Sequence, residues 1–285
     1  MNKQSPRTKR AEMARETLNI LQAGGYKNRR GLQVDLKEDI QYCVNHSQLF
    51  RPAEVEKIWR EKTKAGAGES PGETSFEVRN ESSLYAARKL IAEGFSNPLC
   101  LNFASARNPG GGFLNGSEAQ EESLARSSAL YLCLEPMREM YETNRREKSG
   151  LYTDYMIYSP KVPVIRTDSG QLLEQPELVS FITAPAVNAT VAQADSFDKI
   201  ATTMQQRIGK ILAIVEMKKH DALILGAYGC GVFGNEPQDV AEYFAGHLLA
   251  GGLFYNAFAR VIFAVFDKTS TKSNFNAFKN RFQNA

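Results

Sequence analysis

Two short apolar runs in this chain each end in a glycine-rich turn that leads towards a helix start. Repetition of that strand, bare loop and helix leaves few folds open. Residues 98–104 are apolar and are followed closely by Gly110, Gly111 and Gly112. The run at 222–227 leads into Tyr228-Gly-Cys-Gly-Val-Phe-Gly-Asn-Glu-Pro237, with a helix expected over 239–249. Glycine has no Cβ, so such turns adopt positive φ angles and let the backbone come within hydrogen-bonding distance of a ligand. Apolar strands alternating with helices that cover both faces predict an α/β fold, a three-layer α/β/α sandwich in which ligands collect beyond the carboxyl ends of the strands.

The remaining pattern fits that layout. Helices are expected over 10–21, stopped by Gly24 and Gly25, and over 52–64, 82–94 and 197–219. A further helix over 121–146 carries Pro136 as a break or kink. Short strands are expected over 76–80, 155–159, 162–166, 181–184 and 261–266, with a strand or turn over 34–40. The loop Ala-Gly-Ala-Gly-Glu-Ser-Pro-Gly at 65–72 is the best boundary. It separates an N-terminal helical extension, 1–72, from a core at 73–285, the two expected to form one structural unit.

Composition narrows the class. The 285 residues carry 35 basic and 32 acidic side chains, a net charge of +3, too balanced for a protein that coats a nucleic-acid backbone. Cysteines at 43, 100, 133 and 230 form no CxxC pair, and histidines at 46, 220 and 247 lie far apart. No metal or other cofactor is implied, and a reducing, cytoplasmic setting is expected. The polar start, with Lys3, Arg7, Lys9, Arg10 and Arg15, has no apolar run for a signal peptide or a membrane span. Glu12 and Glu16 spoil the acid-poor pattern of a transit peptide.

Gln120-Glu121-Glu122 stands at a helix entrance just beyond the triple glycine. Hydrolysis of a glycosidic bond needs a carboxylic acid that holds a proton near neutral pH to protonate the leaving oxygen. Repulsion between adjacent glutamates raises one pKa, whereas a helix N-terminus favours the anion, and the sequence leaves the balance open. Taken alone, two glutamates in a first turn are ordinary dipole complements. The triple glycine, Gln120 and the second loop shift the balance towards a site. In that second loop, free N–H groups before a helix suit an anion, and a diphosphate fits the length. A dinucleotide-binding Rossmann turn is the alternative, but there the glycines follow the first strand of the unit.

Other matches are weaker. Gly68-Glu-Ser-Pro-Gly72 fits a nucleophile elbow on paper, yet Pro71 lacks the N–H that an oxyanion hole needs. Cys230 has no histidine near it in sequence and reads as a small residue contributing its N–H. Phe254, Tyr255 and Phe258, at helical spacing, read as core.

Residues 102–122, Asn-Phe-Ala-Ser-Ala-Arg-Asn-Pro-Gly-Gly-Gly-Phe-Leu-Asn-Gly-Ser-Glu-Ala-Gln-Glu-Glu, resemble the signature of poly(ADP-ribose) glycohydrolases, GGG followed by QEE, in the microbial branch of that family. The likeness is carried by 108–131 and the second glycine loop, and more loosely by most of the chain. It implies a macrodomain-like mixed sheet. It also implies an enzyme that hydrolyses ribose–ribose O-glycosidic bonds and releases ADP-ribose from chain ends, reversing ADP-ribosylation in the DNA damage response. By resemblance, Glu122 is the catalytic acid and Glu121 binds ribose hydroxyls. Gly229, Cys230, Gly231, Val232, Phe233 and Gly234 wrap the diphosphate, with Phe233 beside the distal ribose.

Gly110, Gly111, Gly112 and Gln120 complete the expected substrate-binding set together with Asn108, whose amide can donate and accept at once. Macrodomains generally close the strand before the glycines with an asparagine; Ser105 stands there, so Ser105 and Asn108 both remain candidates for the distal ribose. Ala184-Pro-Ala-Val-Asn188 resembles a recurrent segment of the microbial enzymes and is a candidate lining. The expected partners are poly(ADP-ribose) or ADP-ribosylated protein, with ADP-ribose as product, no membrane, and a monomeric enzyme. Two rivals stay open. A hydrolase of single ADP-ribose units on protein or nucleic acid would share nearly every residue, and a non-catalytic ADP-ribose-binding macrodomain would keep both loops without needing 120–122. The whole reading requires Glu122 and Phe233 to face one crevice.

Overall fold

Strands at Leu99–Phe103 (β5), Ala222–Leu225 (β8) and Arg260–Ala264 (β9) are short apolar runs whose alternate side chains enter two different cores. Leu99, Leu101, Leu223, Leu225, Val261 and Phe263 face one layer, and Cys100, Ala222, Ile224, Ile262 and Ala264 face the other. That is the period-2 consequence of pleating in a sheet covered on both sides. The computed structural model describes residues 5–68, 72–192 and 196–283. The rejected nucleophile elbow and part of the expected 65–72 boundary, at 69–71, lie outside the described residues.

The main sheet has seven strands in the order β3-β6-β7-β5-β8-β9-β4. Its other members are Gln48–Phe50 (β3), Ser75–Arg79 (β4), Met156–Arg166 (β6) and Leu172–Ala184 (β7). From β7 to β4 neighbouring strands run parallel, while β6 is antiparallel to both β7 and β3. Gly25–Lys27 (β1) and Gln33–Asp35 (β2) form a separate hairpin.

Helices at Pro52–Ala65 (α3), Phe197–Met217 (α8), Pro237–Leu248 (α9) and Ser273–Phe282 (α10) cover one face. Pro6–Ala23 (α1), Lys37–His46 (α2), Ser83–Ala92 (α4), Gln120–Ser127 (α5), Leu130–Leu134 (α6) and Arg138–Arg146 (α7) cover the other. The three-layer expectation holds. No helix among the described residues is long and apolar enough to cross a membrane.

Several boundaries differ from expectation for local reasons. The helix expected over 121–146 is three helices. Ser128 is extended, bridges Val164 and returns its hydroxyl to Leu124 O at 2.7 Å, while Pro136 marks the second break. The stretch 34–40 is split, because the Asp35 carboxylate accepts from Lys37 N–H at 2.8 Å and starts α2. The strands expected at 155–159 and 162–166 are one strand with two register shifts, the first at Pro160 and a left-handed Lys161 and the second between Val164 and Arg166. Phe254 and Phe258 are buried as expected, but Phe254 lies in a turn and Phe258 in an irregular stretch rather than in a helix, and Tyr255 is exposed.

The stretch before residue 72 is woven into the rest. β3 forms the edge of the main sheet against β6. Helix α1 starts on the Ser5 hydroxyl, which caps Thr8 N–H, and ends at a left-handed Gly24. It packs Ala14 against Phe113 and Ala125.

The face covered by α9 and α10 is held by an aromatic cluster. The Phe263 ring lies 5.5 Å from Phe244, 5.2 Å from Phe278 and 4.3 Å from Phe282, centroid to centroid. Phe263→Ala removes a fully buried ring from all three contacts and is expected to cost about 3–5 kcal/mol. Urea unfolding of the variant beside the wild type measures it.

Candidate active site

The carboxyl ends of β5 and β8 lie side by side, since Leu99 pairs with Leu223 and Cys100 with Ile224 in parallel register. The chain leaving β5 builds α5 on one face of the sheet, and the chain leaving β8 builds α9 on the other. Neighbouring strands whose continuations diverge in this way open a crevice between them. A cavity of about 1000 Å³ occupies that place. Ser105, Asn108, Gly111, Gly112, Gln120, Glu121 and Glu122 line it from the first loop and α5. Gly229, Gly231, Val232 and Phe233 line it from the second, so Glu122 and Phe233 do share one crevice.

The first loop is shaped around the glutamates. Gly110 and Gly111 have φ of +68° and +58°, and a Cβ on Gly111 would run into Glu122 Oε1. Gly112 N–H donates to Glu122 Oε1 at 3.0 Å, fixing a carboxylate that stays partly open to the cavity. Gly110 lies behind, against the Phe113 ring and Ala125. Gln120 anchors the start of α5 on the end of β5: its oxygen accepts from Phe103 N–H at 2.9 Å and its nitrogen donates to Leu101 O at 2.7 Å.

Glu121 points back into the protein and is 2% exposed. Its Oε2 accepts from Ser105 N–H at 2.7 Å and its Oε1 from Asn102 Nδ2 at 3.2 Å. Asn102 in turn reaches Thr183 Oγ1 at 3.1 Å. Loss of hydration pushes the Glu121 pKa up to about 8, with a smaller push from Glu122, against the downward pull of the Ser105, Asn102 and Gly110 hydrogen bonds. The two adjacent carboxylates thus occupy opposite environments, as helical geometry, which turns about 100° per residue, allows.

Ser105 works locally: its hydroxyl accepts from Asn108 N–H at 3.2 Å and from Arg107 N–H at 3.3 Å. Asn108 is exposed on the cavity wall.

The second loop turns at Gly229 (φ +77°) and Gly234 (φ +66°) and is closed on itself. Asn235 N–H donates to Gly229 O at 3.1 Å, and the Asn235 side chain donates to Val187 O at 2.8 Å. Among the described residues no backbone acceptor meets the N–H groups of Gly231, Val232 and Phe233. Such a row before a helix is a nest for an anion. Val232 is 83% exposed. Phe233 leans on Tyr152 with ring centroids 6.0 Å apart. Tyr152 has a left-handed φ of +55° and its carbonyl is held by Arg207, a buried cation paired with Asp154.

Cys230 and Gly234 belong to the loop without lining the cavity. Burial pushes the Cys230 thiol up to about 12, against nucleophilic use. From 184–188, Ala186 reaches the cavity wall. None of the three histidines lines the cavity, and among the described residues no group of three or more His, Cys, Asp or Glu side chains could hold a metal ion.

Sequence reasoning missed Asn102, Thr183, Arg126 and the α1 residues Arg10 and Met13, the last three of which line the cavity. A signal existed for Asn102, a polar residue inside an otherwise apolar run. None existed for Arg10 and Met13, which arrive through tertiary packing.

A mixed sheet with an anion-ready glycine loop facing a glutamate-bearing one defines a macrodomain-like α/β protein. Comparison with known proteins sharpens this. The family model for the microbial-type PARG catalytic domain matches residues 14–167. The crystal structure of the poly(ADP-ribose) glycohydrolase (PARG) from Thermomonospora curvata is 42% identical, with a TM-score of 0.92 over 96% of this chain and 100% of that one. The same protein bound to the inhibitor ADP-HPD superposes with a TM-score of 0.90 at 41% identity over the same shares. The enzyme from Deinococcus radiodurans in complex with ADP-ribose gives 0.79 at 37% identity, over 86% of this chain and 97% of that one. No curated protein matches. The chain belongs to the microbial-type poly(ADP-ribose) glycohydrolase family and is a glycoside hydrolase acting on poly(ADP-ribose).

Two predictions follow from the loop and the buried acid. Gly111→Ala needs both a left-handed backbone and the space that Glu122 fills, so a folded variant is expected to lose most turnover while unfolding within a few degrees of the wild type. Activity assays with thermal melts check it. For Glu121, the folded carboxyl holds its proton to about pH 8, whereas its ordinary value is 4.5. The folded state therefore binds the extra proton between those values, and the residue's contribution to stability falls as pH rises through that window. Glu121→Gln removes the ionisation while keeping the shape of the side chain. The variant is expected to gain stability relative to the wild type at pH 8.5 and to show little gain at pH 5; melts at both values test it.

Proposed function

We propose that the cavity takes the ADP-ribose unit at the end of a poly(ADP-ribose) chain, with its diphosphate on the second glycine loop and its ribose turned towards Glu122. The observation that carries this reading is the single cavity lined by both loops, with Glu122 on one wall and Phe233 on another. Glu122 protonates the ribose oxygen of the leaving unit as the anomeric carbon gains oxocarbenium character, and its carboxylate then activates the attacking water. Its partly open position and the Gly112 N–H that orients it support that role.

Asn108 holds a ribose hydroxyl, and Glu121, which lines the cavity while its oxygens face Ser105 and Asn102, borders the ribose. For Asn108, support comes from its exposure on the wall while the Ser105 hydroxyl is engaged in the turn. Gly110 to Gly112 and Gln120 shape this side, and 229–234 wraps the diphosphate, with Phe233 beside the ribose. Support there comes from the N–H groups of Gly231, Val232 and Phe233, which meet no backbone acceptor among the described residues. ADP-ribose complexes of the Deinococcus radiodurans enzyme support the ligand.

We also take residues 1–72 and 73–285 as one structural unit, supported by the β3–β6 pairing. We take the setting as the cytoplasm, a reducing compartment that four free cysteines suit, and the enzyme as a monomer that reverses ADP-ribosylation in the DNA damage response.

Glu122→Gln is expected to bind ADP-ribose within about threefold of the wild-type affinity and to release it from polymer at least about 10³-fold more slowly, the scale set by loss of a general acid. Chromatography of free ADP-ribose and calorimetric titration measure the two. Monomer released from the outset, without intermediate oligomers, is the pattern of attack at chain ends. Undiminished release by the variant overturns the assignment of Glu122. Faster turnover of a mono-ADP-ribosylated protein than of polymer overturns the substrate preference.

A further inference from the structure

Three successive carbonyls of the turn after the triple glycine each receive an arginine. Arg7 Nε donates to Asn115 O at 2.9 Å, Arg10 Nε to Gly116 O at 2.8 Å, and Arg126 Nη1 to Ser117 O at 2.6 Å. The first two come from α1, and the third from α5 one helical turn beyond Glu122. The chain at Phe113–Asn115 is a single 3-10 turn, so its trailing carbonyls have no donor further along a helix. A guanidinium answers them with charge-assisted bonds of the sign that the turn's dipole favours.

The clamp reaches the reacting group through the backbone. Ser117 N–H donates to Gly112 O at 3.2 Å, closing the turn, and Gly112 N–H is the donor that orients Glu122. Arg10 also pairs with Glu118 at 2.8 Å, and Glu118 lies 3.7 Å from Lys268 across the cavity rim. Helix α1 sits so close that a Cβ on Gly116 (φ +73°) would run into the Arg7 carbonyl. Its Thr17 hydroxyl ties Arg126 O at 2.7 Å. The contacts of Ala14 with Phe113 and Ala125 seat the helix, but apolar packing is non-directional and does not by itself orient the turn's carbonyls. Directional bonds to consecutive carbonyls do.

We propose that Arg7, Arg10 and Arg126 are positioning residues of the hydrolysis, holding the 112–117 turn in the arrangement that aims Gly112 N–H at Glu122. This rests on reading Glu122 as the acid. The diphosphate grip does not depend on the turn, because the second loop is closed by its own Asn235. Loosening the turn therefore acts on the chemical step and spares ligand affinity.

The test compares Arg7→Gln, Arg10→Gln, their double variant and Arg10→Lys with the wild type and with Glu122→Gln. It reads kcat and KM on poly(ADP-ribose) and the affinity for ADP-ribose by calorimetry. The double variant is expected to lose about tenfold or more in kcat, since a displacement of about 1 Å costs on the order of 10²-fold, while for Arg7→Gln, whose side chain does not line the cavity, ADP-ribose affinity stays within about twofold. Arg10→Lys, which makes one of the two Arg10 bonds, recovers part of that loss.

A folded double variant with wild-type kcat overturns the proposal. So does a parallel loss of kcat and ADP-ribose affinity in Arg7→Gln, which marks general damage. If the double variant does not fold, Arg7→Gln decides, because that side chain is exposed. Faster amide exchange at Gly112 and Ser117 with reduced kcat supports the clamp, and unchanged exchange overturns it. Turnover retained by Glu122→Gln removes the acid assignment instead, an outcome the arginine variants cannot produce.

Discussion

β5 and β8 are parallel neighbours whose chains depart to opposite faces of the sheet, and that divergence makes the cavity. Backbone cannot fill the gap between departing chains, so the space beyond the two strand ends is bounded by loops alone. Both loops are glycine-rich for the same reason: each must turn sharply while leaving room at its inner surface. At Gly111 that room is taken by Glu122, and beyond Gly231 it is open. The two apolar layers stabilise the sheet, and the sheet holds the crevice open.

The glutamate pair shows how the same residue type is given two states by its surroundings. Glu121 turns towards β5, where burial favours its neutral form and Asn102 and Ser105 hold its oxygens. Glu122 turns towards the cavity on the next step of the helix. Other acids on the cavity wall are already engaged: Glu81 with Lys89, Glu118 with Arg10, and Asp168 with the Ser82 hydroxyl. A cavity that also carries a row of free N–H groups suited to an anion is poorly served by free negative charge on every side. The ion pairs of Glu81 and Glu118, and the burial that favours the neutral form of Glu121, lower the negative charge that this wall presents.

Much of this was legible because the relevant signals are local. Strands such as 98–104 and 222–227 are apolar runs bounded by glycine, and the loop glycines mark left-handed turns that other residues resist. What stayed hidden depends on distant partners. Ser128 leaves the helix to bridge Val164, a residue of β6 that no local pattern connects to it. β7 runs for thirteen residues although Glu174, Pro176 and Glu177 interrupt its apolar pattern, because β6 is long enough to pair with it. Asn102 was readable as a polar residue in a buried strand, but its partner Glu121 is named only by the fold.

The two loops differ in how they are kept in shape, and the difference separates their tasks. The second is closed by bonds from within: Asn235 to Gly229, Gly234 to Gly231, and Phe233 O receiving Ala189 N–H nearby. Its anion nest is therefore formed before any ligand arrives, which limits the ordering that binding must bring about. The first loop borrows its shape from α1, a helix some hundred residues away in sequence, through Arg7, Arg10 and the Ala14 contact. The two loops thus have separate supports. Arg7 and Arg10 of α1 meet the 112–117 turn that leads to Glu122, and the second loop takes no part in that connection.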